Sequence, residues 1–179
     1  LIHTVKENRI SHAQMFLGPE GSGSLPLAIA YAQYVLCQNQ QEKDSCGECA
    51  SCAKIQKHNH PDLHFSFPIH LSREKHIDSS DNVLGEWREI LDGNPYFGLD
   101  DWNVKLGNEN KQGLIGVKES QNIVSKISLK SFEGGYKILI MWLPELMNGP
   151  ASNKLLKFIE EHPDKTLFLL FAEDQEKII

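Results

Sequence analysis

Two uninterrupted apolar runs, Ile138–Leu143 and Leu167–Ala172, constrain this chain more than any other feature. A strand with one wet face alternates apolar and polar residues. A strand apolar at every position needs cover on both faces, a condition met in parallel sheets. The stretch between the runs reads as a helix: Asn148-Gly149-Pro150 opens it, Ala151, Leu155, Leu156 and Ile159 share its buried face, and Pro163 ends it. The second strand is expected over Thr166–Ala172. Strand, helix, strand is a crossover unit, and it predicts an α/β fold with a parallel sheet between helical layers.

The rest of the chain fits that plan. Met15–Leu17 is a short apolar run that stops at Gly18-Pro19-Glu20-Gly21-Ser22-Gly23. Leu27, Tyr31, Tyr34 and Val35 then recur on one helical face, with Ser24 as the expected cap and Pro26 in the first turn. His64–Ile69 predicts a strand with Phe65 and Phe67 on one side. Val117, Ser120, Val124 and Ile127 predict a further helix, and Gly134-Gly135 leads to Lys137 and the first long apolar run. Residues 70–116 are polar and irregular, with Trp87 and Trp102 embedded. A compact domain rarely holds so long a loop without structure of its own. The segment therefore reads as an insertion, with some helix around Val83–Leu91.

At 179 residues the chain is the size of one domain, and its 40% apolar and 23% charged residues exclude disordered, collagen-like and coiled-coil classes. Eighteen basic against 24 acidic residues give a net charge of -6, which argues against a small basic nucleic-acid module. Neither apolar run approaches the roughly 20 residues of a membrane-spanning helix. Leu1-Ile2-His3 leads into charged residues and not into a signal peptide, so the expected location is the cytoplasm. The chain opens on Leu1 and stops in a charged stretch, and it reads as part of something longer.

All four cysteines fall within Cys37–Cys52, spaced C-x8-C-x2-C-x2-C. A disulfide framework would need an oxidising compartment. Cys37, Cys46, Cys49 and Cys52 instead suit one zinc ion held by four thiolates, with Gly47 helping the chain turn; an iron–sulfur cluster and unrelated buried cysteines are the alternatives. Four thiolates leave no open position, so the zinc is expected to be structural and to fold a module over residues 37–60. His58, His60 and His64 are expected to be polar loop residues outside the metal shell.

Gly18, Gly21 and Gly23 lie between a strand and a helix, the context of a phosphate-binding loop. The full motif continues with Lys and then Ser or Thr; here those positions are Ser24 and Leu25. The lysine neutralises the β/γ-phosphates and the hydroxyl holds Mg²⁺. Ser24 has no charge, Leu25 cannot ligate a hard cation, and Pro26 removes a backbone donor near the anion site. The acidic pair that would follow the Lys137–Trp142 strand is also missing: the chain reads Trp142-Leu143-Pro144, with Glu145 the nearest acid. No bound ATP, no catalytic residue and no intrinsic hydrolysis are expected.

Several stretches resemble the delta-prime family of the bacterial DNA polymerase III clamp loader. They are Ile10-Ser11-His12-Ala13-Gln14-Met15-Phe16-Leu17-Gly18-Pro19-Glu20-Gly21, the four-cysteine spacing, His60-Pro61-Asp62-Leu63-His64, Ser128-Leu129-Lys130, Glu133-Gly134-Gly135-Tyr136-Lys137, and Asn153-Lys154-Leu155-Leu156-Lys157-Phe158-Ile159-Glu160-Glu161. The resemblance implies the first domain of an AAA+ module spanning residues 1–179, in a subunit that does not hydrolyse ATP. Its implied partners are the gamma/tau and delta subunits, and through them the sliding clamp and primed DNA. Family members continue into a helical lid and a C-terminal collar domain. The motif expected just past Ile179 carries an arginine that acts on a neighbour's ATP. The related gamma/tau motors keep the lysine and acidic pair.

Two other readings compete: a gamma/tau-like ATPase using Glu145, and a zinc-dependent nucleic-acid adaptor using Lys54, Lys57 and His58. Glu42, Asp44 and Glu48 crowd the latter with negative charge. Asp100-Asp101 is expected to be solvated. Trp87, Tyr96, Phe97 and Trp102 are expected to pack the insertion onto the core, and Lys118, Lys126 and Lys130 to line a solvated helix edge.

Overall fold

A computed structural model describes residues 1–108 and 111–178; Glu109 and Asn110 of the 70–116 segment, and Ile179 at the end of the 1–179 span, lie outside the described residues. Four strands form one parallel sheet: β1 (Ala13–Leu17), β2 (Leu63–Ser66), β3 (Lys137–Trp142) and β4 (Thr166–Ala172), in the order β1-β4-β3-β2. The strands that carry the two uninterrupted apolar runs, β3 and β4, are the central ones, as two-sided burial requires.

Strand alternation decides which side chain meets which layer. Ile138 lies beside Leu167 and Ile140 beside Leu169, and these, with Trp142 and Phe171, face one layer. That layer is α2 (Ser24–Leu36), α3 (Ala50–Gln56), α4 (Leu84–Gly93) and α5 (Leu99–Lys105). Leu139, Met141 and Phe168 face the opposite layer, α6 (Val117–Ser128) and α7 (Gly149–Glu160). A short helix, α1 (Ile2–Lys6), precedes β1. Asn148 begins α7 as expected, its Oδ1 accepting the Ala151 N–H at 3.0 Å.

Helix faces differ from the expectation in detail. In α2 the buried side chains are Leu25, Ala28, Tyr31, Ala32 and Tyr34, whereas Leu27 is 48% exposed. The small Ala28 and Ala32 let the helix approach the sheet, so the apolar Leu27 is left outside. In α6 Ile123 is buried and Val117 is exposed; in α7 Ser152 is buried and Leu156 exposed. Ser24 is the first helical residue and not the cap, because Gly23 holds that place in a left-handed conformation. The β2 strand ends at Ser66, ahead of Pro68, and Ile69 instead forms an antiparallel bridge with Leu114.

The described residues of the 70–116 segment hold more helix than an irregular insertion: α4, near the expected Val83–Leu91, a helical turn, Ser80–Val83, that runs into it, and also α5. Asp100 and Asp101 sit in the first turn of α5, where the Asp101 carboxylate accepts the Gly98 N–H at 3.1 Å, so that acid caps a helix. Trp87 stacks on Phe67 at 3.9 Å, and Trp102 meets Trp87 edge-on while its indole N–H donates to the Pro68 carbonyl at 2.8 Å. Trp87, Phe97 and Trp102 pack on the core as expected, but Tyr96 is 57% exposed.

Candidate functional site, a phosphate-type loop and a four-cysteine cluster

The turn between β1 and α2 carries the glycines of the expected phosphate-type loop. Gly21 (φ 73°) and Gly23 (φ 82°) take left-handed conformations that favour glycine. The side chains around it supply different chemistry. Ser22 and Ser24 hydrogen-bond to each other at 2.7 Å and lie close over Gly18. Leu25 is buried in the helix–sheet core and does not face a cation position. At the end of β3, Trp142 packs between Trp87 and Phe97, with ring centres 5.5 and 5.0 Å away. Glu145 has a structural contact: its Oε1 accepts the N–H groups of Glu173 (2.8 Å) and Asp174 (3.3 Å), pinning the turn after β4, while its Oε2 is buried without a partner among the described residues.

The cavity beside the loop is about 30 Å³, against roughly 300–1,000 Å³ for small-molecule sites. Among the described residues its lining includes the carboxylates of Glu20 and Glu173 and no lysine or arginine. Burial raises the Glu173 carboxyl above its ordinary value, and the charges of Glu20 and Glu145 add to the rise. An anion would meet negative charge here.

The four cysteines come from the end of α2 and the start of α3. Cys37 follows α2, Cys49 caps α3 with its Sγ accepting the Cys52 N–H, and Cys52 lies in the first turn. Gly47 turns the chain between them with φ 74°. All four Sγ atoms lie within 4.8 Å of one another, with Cys37–Cys46 at 3.5 Å and Cys46–Cys52 at 4.0 Å. Tetrahedral zinc with bonds of about 2.3 Å implies sulfur–sulfur separations of about 3.8 Å, so the donor set fits a metal ion. Backbone N–H groups of Asn39 and Cys46 point at Cys37 Sγ, and that of Cys49 at Cys46 Sγ, a pattern that favours thiolates.

Burial pushes the Cys52 thiol up to about 12, with Cys49 and Cys37 adding to it. Burial also acts to raise Cys49, but N–H groups of Cys52 and Gln38 outweigh it and bring that thiol to about 6. The nearby histidines stand outside the cluster. His58 and His60 lie in the connection between α3 and β2, as expected, but His60 is buried there, 3.2 Å from Glu133 and accepting the Asp62 N–H, and His64 lies on β2 and not in a loop.

A protein family described as "DNA polymerase III, delta subunit" matches residues 1–179. The chain belongs to this family. It is 30% identical over 161 residues to the DNA polymerase III subunit delta' of Yersinia pestis, covering 89% of this chain and 35% of the relative. Against the DNA polymerase III subunit delta' of Bacillus subtilis (strain 168) it is 26% identical over its whole length, 41% of that protein. A DNA polymerase III subunit tau/gamma of Haemophilus influenzae is 22% identical over 99% of this chain and 20% of its own length. The chain thus spans about two fifths or less of the family relatives it matches.

Other residues of this region have roles that spacing did not reveal. The buried Asp62 carboxylate accepts the N–H groups of Phe132 (2.7 Å) and Glu133 (2.9 Å) and the Ser131 hydroxyl, fixing the turn before β3. Glu133 in turn pairs with Lys54 on α3, so that lysine is engaged within the fold. Lys126 is part-buried and pairs with Asp81, so it is not simply a solvated edge; Lys118, 3.9 Å from an exposed Asp78, and Lys130 are exposed as expected. The Pro61-Asp62 step and the glycines after Glu133 were local hints of tight turns, but nothing local joins them. Among the described residues, no helix is long and apolar enough to cross a membrane.

Proposed function

We propose that this chain is the phosphate-loop domain, of AAA+ type, of a non-catalytic clamp-loader subunit. It would present a fixed surface against which ATP-driven gamma/tau neighbours, with the delta subunit, open a sliding clamp and place it on primed DNA. One observation carries the reading: a glycine-rich turn with left-handed Gly21 and Gly23 joins strand to helix, while the places a motor keeps charged hold Ser24 at the loop and Leu143-Pro144 after the strand. Family membership supports the assembly. A domain without that charge cannot cycle with ATP, which suits it to stay rigid. Cys37, Cys46, Cys49 and Cys52 would hold one zinc ion, which supplies folding energy on the order of 10–16 kcal/mol to a short segment with little core of its own.

The test is steady-state turnover of ATP with Mg²⁺ by the purified chain, with metal content measured on the same sample. No turnover and one zinc per chain are expected. Turnover at ordinary motor rates overturns the reading. The gamma/tau-like alternative draws on the tau/gamma relatives. It is weakened by Glu145, whose carboxylate is bound to backbone N–H groups. Salt-dependent DNA binding by this chain alone would favour the adaptor reading instead.

A further inference from the structure

The five residues between α4 and α5, Asn94–Gly98, lie on the phosphate-type loop, although they are distant from it in sequence. Pro95, Tyr96 and Phe97 line the same cavity as Gly18–Pro26. The Tyr96 ring stands over Gly23: a Cβ on that glycine would lie 3.2 Å from Tyr96 Cε1. A Cβ on Gly98 would overlap the Glu20 carboxyl group, so loop and strap meet at a second point.

Both ends of the strap are tied. The Asn94 N–H donates to the Ile90 carbonyl at 2.9 Å, the Tyr96 N–H to Asn94 Oδ1 at 3.1 Å, and the Gly98 N–H to Asp101. Pro95 restricts the backbone between them. Phe97 is the key, 5% exposed and set edge-on against Trp87 (5.4 Å) and Trp142 (5.0 Å). Trp142 ends β3, directly before the positions where the metal-binding acids would follow. The anchor of the strap therefore abuts the place those acids would hold.

We propose that Asn94–Gly98 is a built-in plug that occupies the phosphate side of the nucleotide site, keeping the loop closed independently of the missing lysine. This rests on the non-catalytic reading above and gives part of the 70–116 segment a role in it. The remaining space admits little more than water. Restoring positive charge to the loop would then be insufficient for binding a triphosphate.

The experiment compares Ser24→Lys with Ser24→Lys/Tyr96→Ala, titrating each with ATP and Mg²⁺ by calorimetry. Hydrogen exchange of the Gly18–Leu27 amides is followed in wild type and Tyr96→Ala. Tyr96 is mostly exposed, so its removal leaves the core intact, which tryptophan fluorescence checks. The plug predicts at least tenfold tighter ATP binding in the double variant than in Ser24→Lys, and faster exchange in Tyr96→Ala. Equal binding within the pair, including none by either, or unchanged exchange overturns it. Wild-type turnover, which would sink the non-catalytic reading, is measured separately and leaves the contrast between variants readable.

Discussion

His64 gives the fold a calculable response to acid. It lies on β2, where burial and then the Lys126 ammonium hold its pKa down, from 6.5 to about 4; Lys137 acts the same way, and Asp62 and Asp81 oppose it. The unfolded chain takes up a proton first. Stability is unaffected above the unfolded value of 6.5 and falls as pH drops from there toward 4. The full shift corresponds to about 3 kcal/mol, of which about 2 kcal/mol is lost by pH 5. That is a sizeable share of the roughly 5–15 kcal/mol that holds a domain folded. Denaturant unfolding, followed by tryptophan fluorescence at pH 7.5 and pH 5, measures it in wild type and in His64→Gln. The variant removes the titration, and acid effects elsewhere, including protonation of the cysteines, are shared and cancel. Wild type should lose about 2 kcal/mol more than the variant over this interval. Equal losses would show that His64 titrates normally and refute the reasoning.

Phe97→Ala should cost about 3–5 kcal/mol by emptying a site among Trp87 and Trp142, read from denaturant midpoints; a cost of a few tenths would mean that the strap is not anchored there. Cys49→Ser should abolish stoichiometric zinc and make residues 37–60 sensitive to protease while β3 and β4 stay protected in hydrogen exchange. Retention of one zinc per chain would count against the four-thiolate site. Asn148→Ala should destabilise by about 1 kcal/mol through loss of the α7 cap, and Asn148→Asp should restore most of it in thermal melts.

How much of this was legible beforehand varies with the range of the interaction. The strands Lys137–Trp142 and Thr166–Ala172 were readable because burial on both faces leaves every position after the first apolar, a signal contained in a few consecutive residues. The cysteine cluster was readable for the same reason: three of its four members lie within two turns of chain. The α5 helix was missed because its charged first turn resembles a solvated loop until Asp101 is seen capping Gly98. The buried face of α2 was misjudged because hydrophobicity favours Leu27, while closeness to the sheet favours Ala28 and Ala32.

The amino-acid order alone therefore determined the parallel α/β plan, the four-cysteine cluster and the absence of a lysine at Ser24 in the glycine-rich loop, since each is written in neighbouring residues. Only the tertiary structure decided that Tyr96 covers Gly23, that Phe97 locks onto Trp142, and that Glu145 Oε1 accepts from the turn after β4. Those contacts join segments far apart along the chain. Their geometry follows from how the helical layers settle on the sheet, which no local pattern of residues encodes.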